Sequence, residues 1–197
     1  MFINNNDLMF AKVHPEAIIP TKDDENAGYD IYACFDEDYM IIPAHTTKLV
    51  PTGIASALSE KYYLQVHERG STGSKGMKYS AGVVDSSYRG QIFVAISNIN
   101  CGDIIITKLD KEELFNKYSN YVDEDGERAI KYGDGGCDMI YEYEDRYYSP
   151  IIYPYSKAIA QLVVHEVPKM NVQEISYEEL KAIPSKRGDG ALGSSGK

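Results

Sequence analysis

The sequence predicts an all-β protein, built as a sandwich or barrel of short strands. Runs of alternating apolar and polar residues recur through the first half of the chain. Prolines and glycines such as Pro43, Pro51, Gly53 and Gly70 interrupt these runs at short intervals. Helical periodicity is almost absent before residue 110. A length of 197 residues is that of one domain, or of one domain with an insertion.

The predicted strands follow one another closely. Residues 9–20 (MFAKVHPEAIIP) predict a short strand and then a proline-containing loop. Residues 21–35 predict a strand entered through a turn at Gly28. The same pattern continues through 38–58 and 61–70. Strand signals this frequent, with almost no helical periodicity, favour an all-β sandwich or barrel.

Short helices are predicted only later in the chain. Asp110 and Glu113 have the spacing of a capping box, in which each residue satisfies a backbone N–H at the start of a helix. Ser176 and Glu179 form a second such pair, and Pro184 ends that helix. Both helices are therefore expected to be short.

Composition excludes several classes of protein. The 30 acidic and 20 basic residues give a net charge of −10, which argues against binding to nucleic acid. No apolar run reaches the roughly 18 residues of a membrane span, and no export signal is visible, so we expect a cytoplasmic protein without a membrane partner. Cys34, Cys101 and Cys137 are odd in number and far apart, which implies neither a disulfide framework nor a paired zinc site. An anionic ligand would need a divalent cation, an arginine or aimed N–H groups to overcome the negative field.

Residues 81–98 (AGVVDSSYRGQIFVAISN) predict two half-buried strands, around Val83 and Val94, joined by a tight hairpin. Asp85 stands where the first strand ends, and Tyr88 follows near the tip. A buried carboxylate would be costly, so we expect Asp85 to face a wet cleft. A carboxylate next to a phenol is suited to binding a small polar ring. The same residues are equally typical of an ordinary hairpin with a solvated acid and a packed tyrosine.

Residues 68–76 (ERGSTGSKG) predict a polar, glycine-rich loop between strands. Glycines let backbone N–H groups approach an oxyanion, and Arg69 offers two parallel donors. The loop is therefore either an anion site or an ordinary turn.

The composition of residues 103–156 indicates an insertion. They carry 13 acidic against 6 basic residues and 9 of the 17 tyrosines. This segment is either a solvent-exposed insertion with no binding role or a surface that binds a protein partner. Four tyrosines would anchor such a contact: Tyr141, Tyr143, Tyr147 and Tyr148.

Five segments stand in order along the chain: AGYD, RGSTGSKG, AGVVDSSYRG, AIAQL and RGDGALGSSG. In order and spacing they resemble the five motifs of the trimeric dUTPase family, and residues 49–58 are similar to that family's intervening strand pair. The resemblance covers nearly all of 9–102 and 157–197 but not the insertion. It implies a jelly-roll fold and cleavage of dUTP to dUMP and pyrophosphate with Mg²⁺. It also implies a phage-like member of the family, which would act in the cytoplasm of a bacterial host cell.

The resemblance also implies a domain organisation. Residues 1–102 and 157–186 would form the jelly-roll core, 103–156 the insertion between motifs three and four, and 187–197 a flexible arm. The arm has nothing to bury, which agrees with disorder. It is not a P-loop, because Ala191 stands where the first glycine belongs.

Roles for the nucleoside site follow from the resemblance. Asp85 would be the general base that deprotonates a water for attack on the α-phosphorus. Tyr88 would pack beneath the deoxyribose and leave no room for a 2′-hydroxyl. The remaining residues of the uracil pocket would be Tyr79, Gly82, Val83, Val84 and Phe93.

The phosphate site follows in the same way. Its residues in the core would be Arg69, Gly70, Ser71 and Gln161. Asp30 would act indirectly, through a water near a Mg²⁺ ion that the phosphates themselves hold. The arm would close over the nucleotide with Arg187, Leu192, Gly193, Ser194 and Ser195. The resemblance implies a homotrimer in which each site is built from three subunits.

Two positions depart from the family pattern. Gly70 stands directly after the motif arginine, where serine is usual, and Ser71 follows it. Leu192 stands in the arm where an aromatic residue usually covers the uracil. Apolar cover in place of a stacked ring predicts weaker closure, by about 1 kcal/mol.

Two other functions fit the chain. A dCTP deaminase of the same fold would need a carboxylate placed at the cytosine amine, whereas the hairpin pairs Asp85 with Tyr88. A regulatory protein would bind a repressor or other partner through 103–156, as some phage members of the family do. This second role is compatible with dUTP hydrolysis.

Overall fold

The computed structural model describes residues 3–4, 6–118, 130–131, 140–143 and 146–189. The elements are β1 (Leu8–Lys12), β2 (Gly28–Ile31), β3 (Tyr39–Ile42), β4 (Thr47–Pro51), β5 (Ile54–Leu58), β6 (Tyr62–His67), α1 (Gly70–Gly73), β7 (Met77–Ser80), β8 (Val83–Val84), β9 (Phe93–Asn98), β10 (Ile104–Thr107), α2 (Lys111–Tyr118), β11 (Ile130–Lys131), β12 (Ile140–Tyr143), β13 (Arg146–Tyr148), β14 (Ile151–Pro154), β15 (Ala160–Glu166) and α3 (Tyr177–Ala182). Strands dominate and the helices are short, which confirms the predicted all-β class. Within these residues, no helix is long and apolar enough to cross a membrane.

Four sheets share one apolar core. Their strand orders are β1–β5, β14–β10–β3, β2–β15–β6–β8 and β4–β9–β7. One cluster of buried residues contains Ile31, Leu64, Ile96, Ile106 and Leu162, from five strands of three of these sheets, and Leu58 from the fourth sheet. Alternate residues of each strand point into this cluster, as the period of two in the sequence predicts.

The two ends of the predicted insertion belong to the core. Strand β10 pairs with β3 in antiparallel and with β14 in parallel orientation. Ile105 in β10 is fully buried with Leu114 of α2. The predicted boundaries at 103 and 156 thus include two core strands, because the isoleucine run at 104–106 is buried sheet.

Helix α2 begins as predicted. The Glu113 N–H donates to Asp110 Oδ1 at 2.9 Å, and the Asp110 N–H donates to Glu113 Oε2 at 3.3 Å. Between α2 and β14, the described backbone forms a three-stranded sheet, β11–β12–β13, which pairs only with itself among the described residues.

The predicted hairpin at 81–98 is wrong in its pairing. Strand β8 pairs with β6, while β9 pairs with β4 and β7. The Val66 N–H donates to the Gly82 carbonyl at 2.8 Å, and the Ile92 N–H donates to the Ile54 carbonyl at 2.7 Å. Since these backbone groups already have partners in different sheets, the segment links two sheets instead of folding back on itself.

The described residues from 168 to 189 belong to a second compact unit. In it, α3 has the predicted capping box: the Glu179 N–H donates to Ser176 Oγ at 3.2 Å, and the Ser176 N–H donates to Glu179 Oε2 at 2.8 Å. The Ser176 N–H and the Ser176 hydroxyl both donate to the Glu179 carboxylate and lower the pKa of Glu179. The arm is predicted at 187–197, and its residues 190–197 lie outside the described residues.

Candidate functional site

One pocket is lined by polar groups from β2, β15 and the start of α1. We call it the Arg69 pocket; its volume is about 410 Å³. Its lining residues are Asn26, Ala27, Gly28, Asp30, Arg69, Gly70, Ser71 and Gln161. The sequence analysis singled out five of these eight residues for the phosphate and metal site.

An ion pair fixes the guanidinium of Arg69 in this pocket. Its Nε lies 2.8 Å from Asp30 Oδ1, and its Nη2 donates to Asp30 Oδ2 at 3.0 Å. Its Nη1 donates to the Ala158 carbonyl at 3.3 Å. Because these bonds use three of the five guanidinium N–H groups, at most two remain for a ligand. Both side chains are about 30% exposed, so the pair faces the pocket.

Gln161 fits the pocket only because residue 28 is glycine. The Gln161 Nε2 donates to the Glu68 carbonyl at 2.8 Å. A Cβ at Gly28 would lie 2.6 Å from Gln161 Oε1 and 2.9 Å from its Cβ. In the β2–β15 pairing, Gln161 lies directly opposite Asp30.

The segment predicted as a loop at 68–76 contains a helical turn, α1. The buried Thr72 organises it: the Arg69 N–H donates to Thr72 Oγ1 at 3.1 Å, and Thr72 Oγ1 donates to the Arg69 carbonyl at 3.1 Å. The Tyr79 hydroxyl donates to Thr72 Oγ1 at 2.9 Å and also contacts the Ile159 carbonyl. Burial raises the pKa of Tyr79. This network leaves Gly70 and Ser71 exposed at the pocket.

Tyr153 shares a hydrogen-bond acceptor with Arg69 of the same pocket. Its side chain is buried, and its hydroxyl donates to the Ala158 carbonyl at 2.7 Å, the group that Arg69 also contacts. Burial raises the pKa of Tyr153, and its neighbours Arg69 and Ser71 oppose that shift. Sequence reasoning missed this residue because it lay in the predicted insertion.

A second pocket, of about 250 Å³, surrounds the turn after β8. We call it the Asp85 pocket, and its lining residues are Ala81, Val83, Val84, Asp85, Tyr88, Gln91, Ile92 and Phe93. Asp85 is exposed, and the Tyr88 N–H donates to its carbonyl at 3.1 Å, which closes a turn. Ala81 has a positive φ of 54°, an uncommon conformation for a residue with a Cβ.

The ring of Tyr88 lies against the backbone of Gly90. A Cβ at Gly90 would lie 2.4 Å from the Tyr88 hydroxyl oxygen, so any other residue there would displace the ring. The Tyr88 hydroxyl donates to the Gln91 carbonyl at 3.0 Å. Arg89 Nη1 donates to the Ser86 carbonyl at 2.5 Å and to the Tyr88 carbonyl at 2.9 Å, which braces the turn.

The two pockets have no lining residue in common. Tyr79 and Gly82 line neither of them: the Tyr79 hydroxyl bonds to Thr72, and the Gly82 carbonyl bonds to β6. Arg187 lies in the second unit, where its N–H donates to Ser185 Oγ at 3.3 Å. The remaining predicted site residues lie outside the described residues: Leu192, Gly193, Ser194 and Ser195.

Six pocket residues were not predicted as site residues: Asn26, Ala27, Gly28, Ala81, Gln91 and Ile92. Gly28 stands in the AGYD segment, and a glycine beside a functional acid was a usable signal of close backbone approach. No comparable signal marked the others.

The fold and the two pockets together define a class: an all-β protein with one pocket suited to an anion and a second pocket suited to a small polar ring. The family model described as dUTPase matches residues 15–111. The deoxyuridine 5′-triphosphate nucleotidohydrolase of Candida albicans is 30% identical over 185 residues, which cover 93% of this chain and 84% of that protein. The chain belongs to the dUTPase family.

Other relatives and solved structures agree. The Helicobacter pylori nucleotidohydrolase of the same name is 36% identical over 108 residues, 53% of this chain and 72% of that one. A mutant Staphylococcus bacteriophage 80alpha dUTPase with dUpNHpp has a TM-score of 0.65 at 21% identity, covering 96% and 98% of the two chains. The dUTPase from phage phi11 of S. aureus, described with a species-specific insert, has a TM-score of 0.59 at 18% identity, covering 86% and 96%. These structural likenesses confirm the predicted fold.

Proposed function

We propose that this chain hydrolyses dUTP to dUMP and pyrophosphate. The observation that carries the proposal is the exposed Asp85, held on a braced turn beside Tyr88 in a chain of the dUTPase family. Its relatives are named deoxyuridine 5′-triphosphate nucleotidohydrolases.

The Asp85 pocket takes the deoxyuridine. The exposed side chains of Val83 and Phe93 supply apolar contacts to the uracil. The Tyr88 ring, held by Gly90 and the Gln91 carbonyl, packs against the sugar and excludes a 2′-hydroxyl. The Asp85 carboxylate accepts a proton from a water molecule, and the oxygen of that water attacks the α-phosphorus.

The Arg69 pocket takes the phosphates. Arg69 and Asp30 cancel in charge, and the other lining residues are neutral. A triphosphate in a chain of net charge −10 therefore needs further positive charge. Arg187 of the arm supplies part of it, and Ser71 and Gln161 supply neutral donors.

Mg²⁺ supplies the remaining charge, bound with the phosphates. Among the described residues no three potential ligand side chains lie together, so the chain alone forms no metal cage in this part. Asp30 fits an indirect role: Arg69 uses one acceptor position on each carboxylate oxygen, and the free positions can bind a water of a hydrated ion. When bound, Mg²⁺ neutralises charge that develops on the phosphates. A phi11 dUTPase mutant is described with a structural Mg(II) ion.

The proposed site is shared between copies of the chain. Within one chain, the nucleoside and phosphate residues line separate pockets. We propose a homotrimer in which one copy contributes the Asp85 pocket, a second the Arg69 pocket, and a third the arm from 187 to 197.

A regulatory role through the insertion is a second proposal. The β11–β13 sheet pairs only with itself in the described part of the chain, as a separate surface module would. The phi11 dUTPase, similar in fold, is described with a species-specific insert. A protein partner would bind this sheet and leave the core intact.

The decisive experiment measures pyrophosphate release from dUTP, with dCTP, dTTP and UTP as controls. We expect turnover of dUTP alone, and a fall of about 10²–10⁴-fold in kcat for Asp85→Asn. Asp24→Asn, which changes an exposed acid outside both pockets, is the matched control and should keep full activity. Unchanged turnover in Asp85→Asn, or release of ammonia from dCTP, would contradict the proposal.

A further inference from the structure

Tyr153 brings a phenol into a stretch of strand that is otherwise apolar. It follows Ile151 and Ile152 in β14, and in the parallel β10–β14 pairing it stands opposite the fully buried Ile106. Its own side chain is 1% exposed and belongs to the main core cluster. A buried hydroxyl without a hydrogen-bond partner is destabilising, so packing alone would favour phenylalanine at this position. The hydroxyl therefore has to be explained by its contacts.

The hydroxyl shares one fixed acceptor with Arg69. It donates to the Ala158 carbonyl at 2.7 Å, and Arg69 Nη1 donates to the same carbonyl at 3.3 Å. These two donors use both lone pairs of the carbonyl oxygen. The other side of the same peptide group is also held, because its N–H, on Ile159, donates to the Ile31 carbonyl at 2.9 Å. This fixed peptide ties the phenol to the guanidinium.

The phenol oxygen also faces the donors of the Arg69 pocket. Burial raises the pKa of Tyr153, while the charge of Arg69 and hydrogen bonding from the Ser71 and Arg69 side chains act in the opposite direction. An oxygen that donates its proton to a carbonyl still has lone pairs to accept from such donors. Ser71 itself is exposed at the pocket. One buried phenol thus contacts both donors of the pocket that belong to the 68–76 segment.

We propose that Tyr153 is a positioning residue for the phosphates of dUTP. Its hydroxyl joins the Ala158 carbonyl to the Arg69 and Ser71 side chains, and so fixes the direction in which these two donors meet a phosphate. Tyr153 does not line the pocket, so it acts through them. Arg69 has at most two N–H groups left for a ligand, and a small rotation of its guanidinium misdirects both. The inference rests on the proposed function of the Arg69 pocket.

The test is calorimetric titration of the full-length protein with inorganic pyrophosphate in excess Mg²⁺, and separately with deoxyuridine. We expect Tyr153→Phe to weaken pyrophosphate binding by about 3–10-fold, as loss of one hydrogen bond does, and to leave deoxyuridine binding unchanged. Tyr155→Phe is the matched control, because its half-buried phenol faces Cys34 and lines a different pocket. It should bind both ligands as the wild type does.

Two further readouts separate positioning from a structural role. In dUTP hydrolysis, KM of Tyr153→Phe should rise while kcat stays within about twofold, since the lost contact serves ground state and transition state alike. In pyrophosphate binding, the Ser71→Ala/Tyr153→Phe double variant should be weakened by less than the sum of the two single effects, because both changes break the same contact.

Unchanged pyrophosphate binding in Tyr153→Phe would overturn the proposal, and so would an equal weakening of deoxyuridine, strictly additive effects or a wild type that binds no pyrophosphate. If Tyr153→Phe fails to fold, the ¹³Cζ signal of Tyr153 in the wild type decides. A shift with pyrophosphate but not with deoxyuridine supports the role, and an unshifted signal refutes it. Pyrophosphate binding requires no hydrolysis, so a wild type that binds pyrophosphate without cleaving dUTP would contradict the proposed function alone.

Discussion

Gly28 is the residue whose substitution tests most directly how the Arg69 pocket is built. A Cβ there would lie within 3.0 Å of three atoms of the Gln161 side chain. Gly28→Ala must either strain this contact, which costs about 1–3 kcal/mol, or turn Gln161 away. Turning it away breaks the 2.8 Å bond to the Glu68 carbonyl, which is worth about 1 kcal/mol.

We therefore expect Gly28→Ala to lose about 2 kcal/mol of folding free energy, a Tm decrease of about 4–8 °C for a chain of this size. A shift of Gln161 by about 1 Å should lower kcat/KM for dUTP by up to about 10²-fold. Thermal unfolding and steady-state pyrophosphate release measure the two effects separately.

Gly70 provides the matched control in the same pocket. No atom lies within 4 Å of a Cβ built there, so Gly70→Ala should change stability by no more than about 0.5 kcal/mol. Gly70→Ser adds a hydroxyl donor to the pocket and should lower KM. A Gly28→Ala variant as stable and active as Gly70→Ala would refute the argument that this glycine exists for Gln161.

Two further predictions concern stability and the insertion. Burial holds the Tyr79 phenol neutral and raises its pKa, so folding stability should fall as pH rises above about 10, where the unfolded chain ionises first. Tyr79→Phe should lose about 1 kcal/mol at pH 7 and show a shallower alkaline decrease in urea midpoint; an identical decrease would contradict this. Replacing residues 119–149 with a glycine–serine linker should leave dUTP turnover intact, because the β11–β13 sheet pairs only with itself in the described residues. Replacing 108–152 should prevent folding, because it removes the buried Leu114; a folded product, or an inactive but folded 119–149 deletion, would count against the assignment.

Local interactions were predictable from the sequence, and strand partners were not. The Asp110–Glu113 box is set by neighbours three residues apart, so spacing alone locates it. The alternation at 81–98 correctly indicates strands, but alternation reports which face is buried and not which strand is adjacent. The hairpin prediction failed at that point, since β8 found β6 and β9 found β4 and β7.

The Arg69 pocket shows why sequence order conceals a site. Asp30 and Arg69 are 39 residues apart, and Gln161 is 92 residues beyond Arg69. The strand order β2–β15–β6 places Asp30 opposite Gln161 and Gln161 opposite His67, two residues before Arg69. Resemblance to a family of ordered motifs names these residues, but only the sheet order explains why they meet. The same order leaves Arg69 bound to Asp30 at neutral net charge, so the phosphate binding that we propose for this pocket would need the further positive charge that we assign to Mg²⁺ and to Arg187.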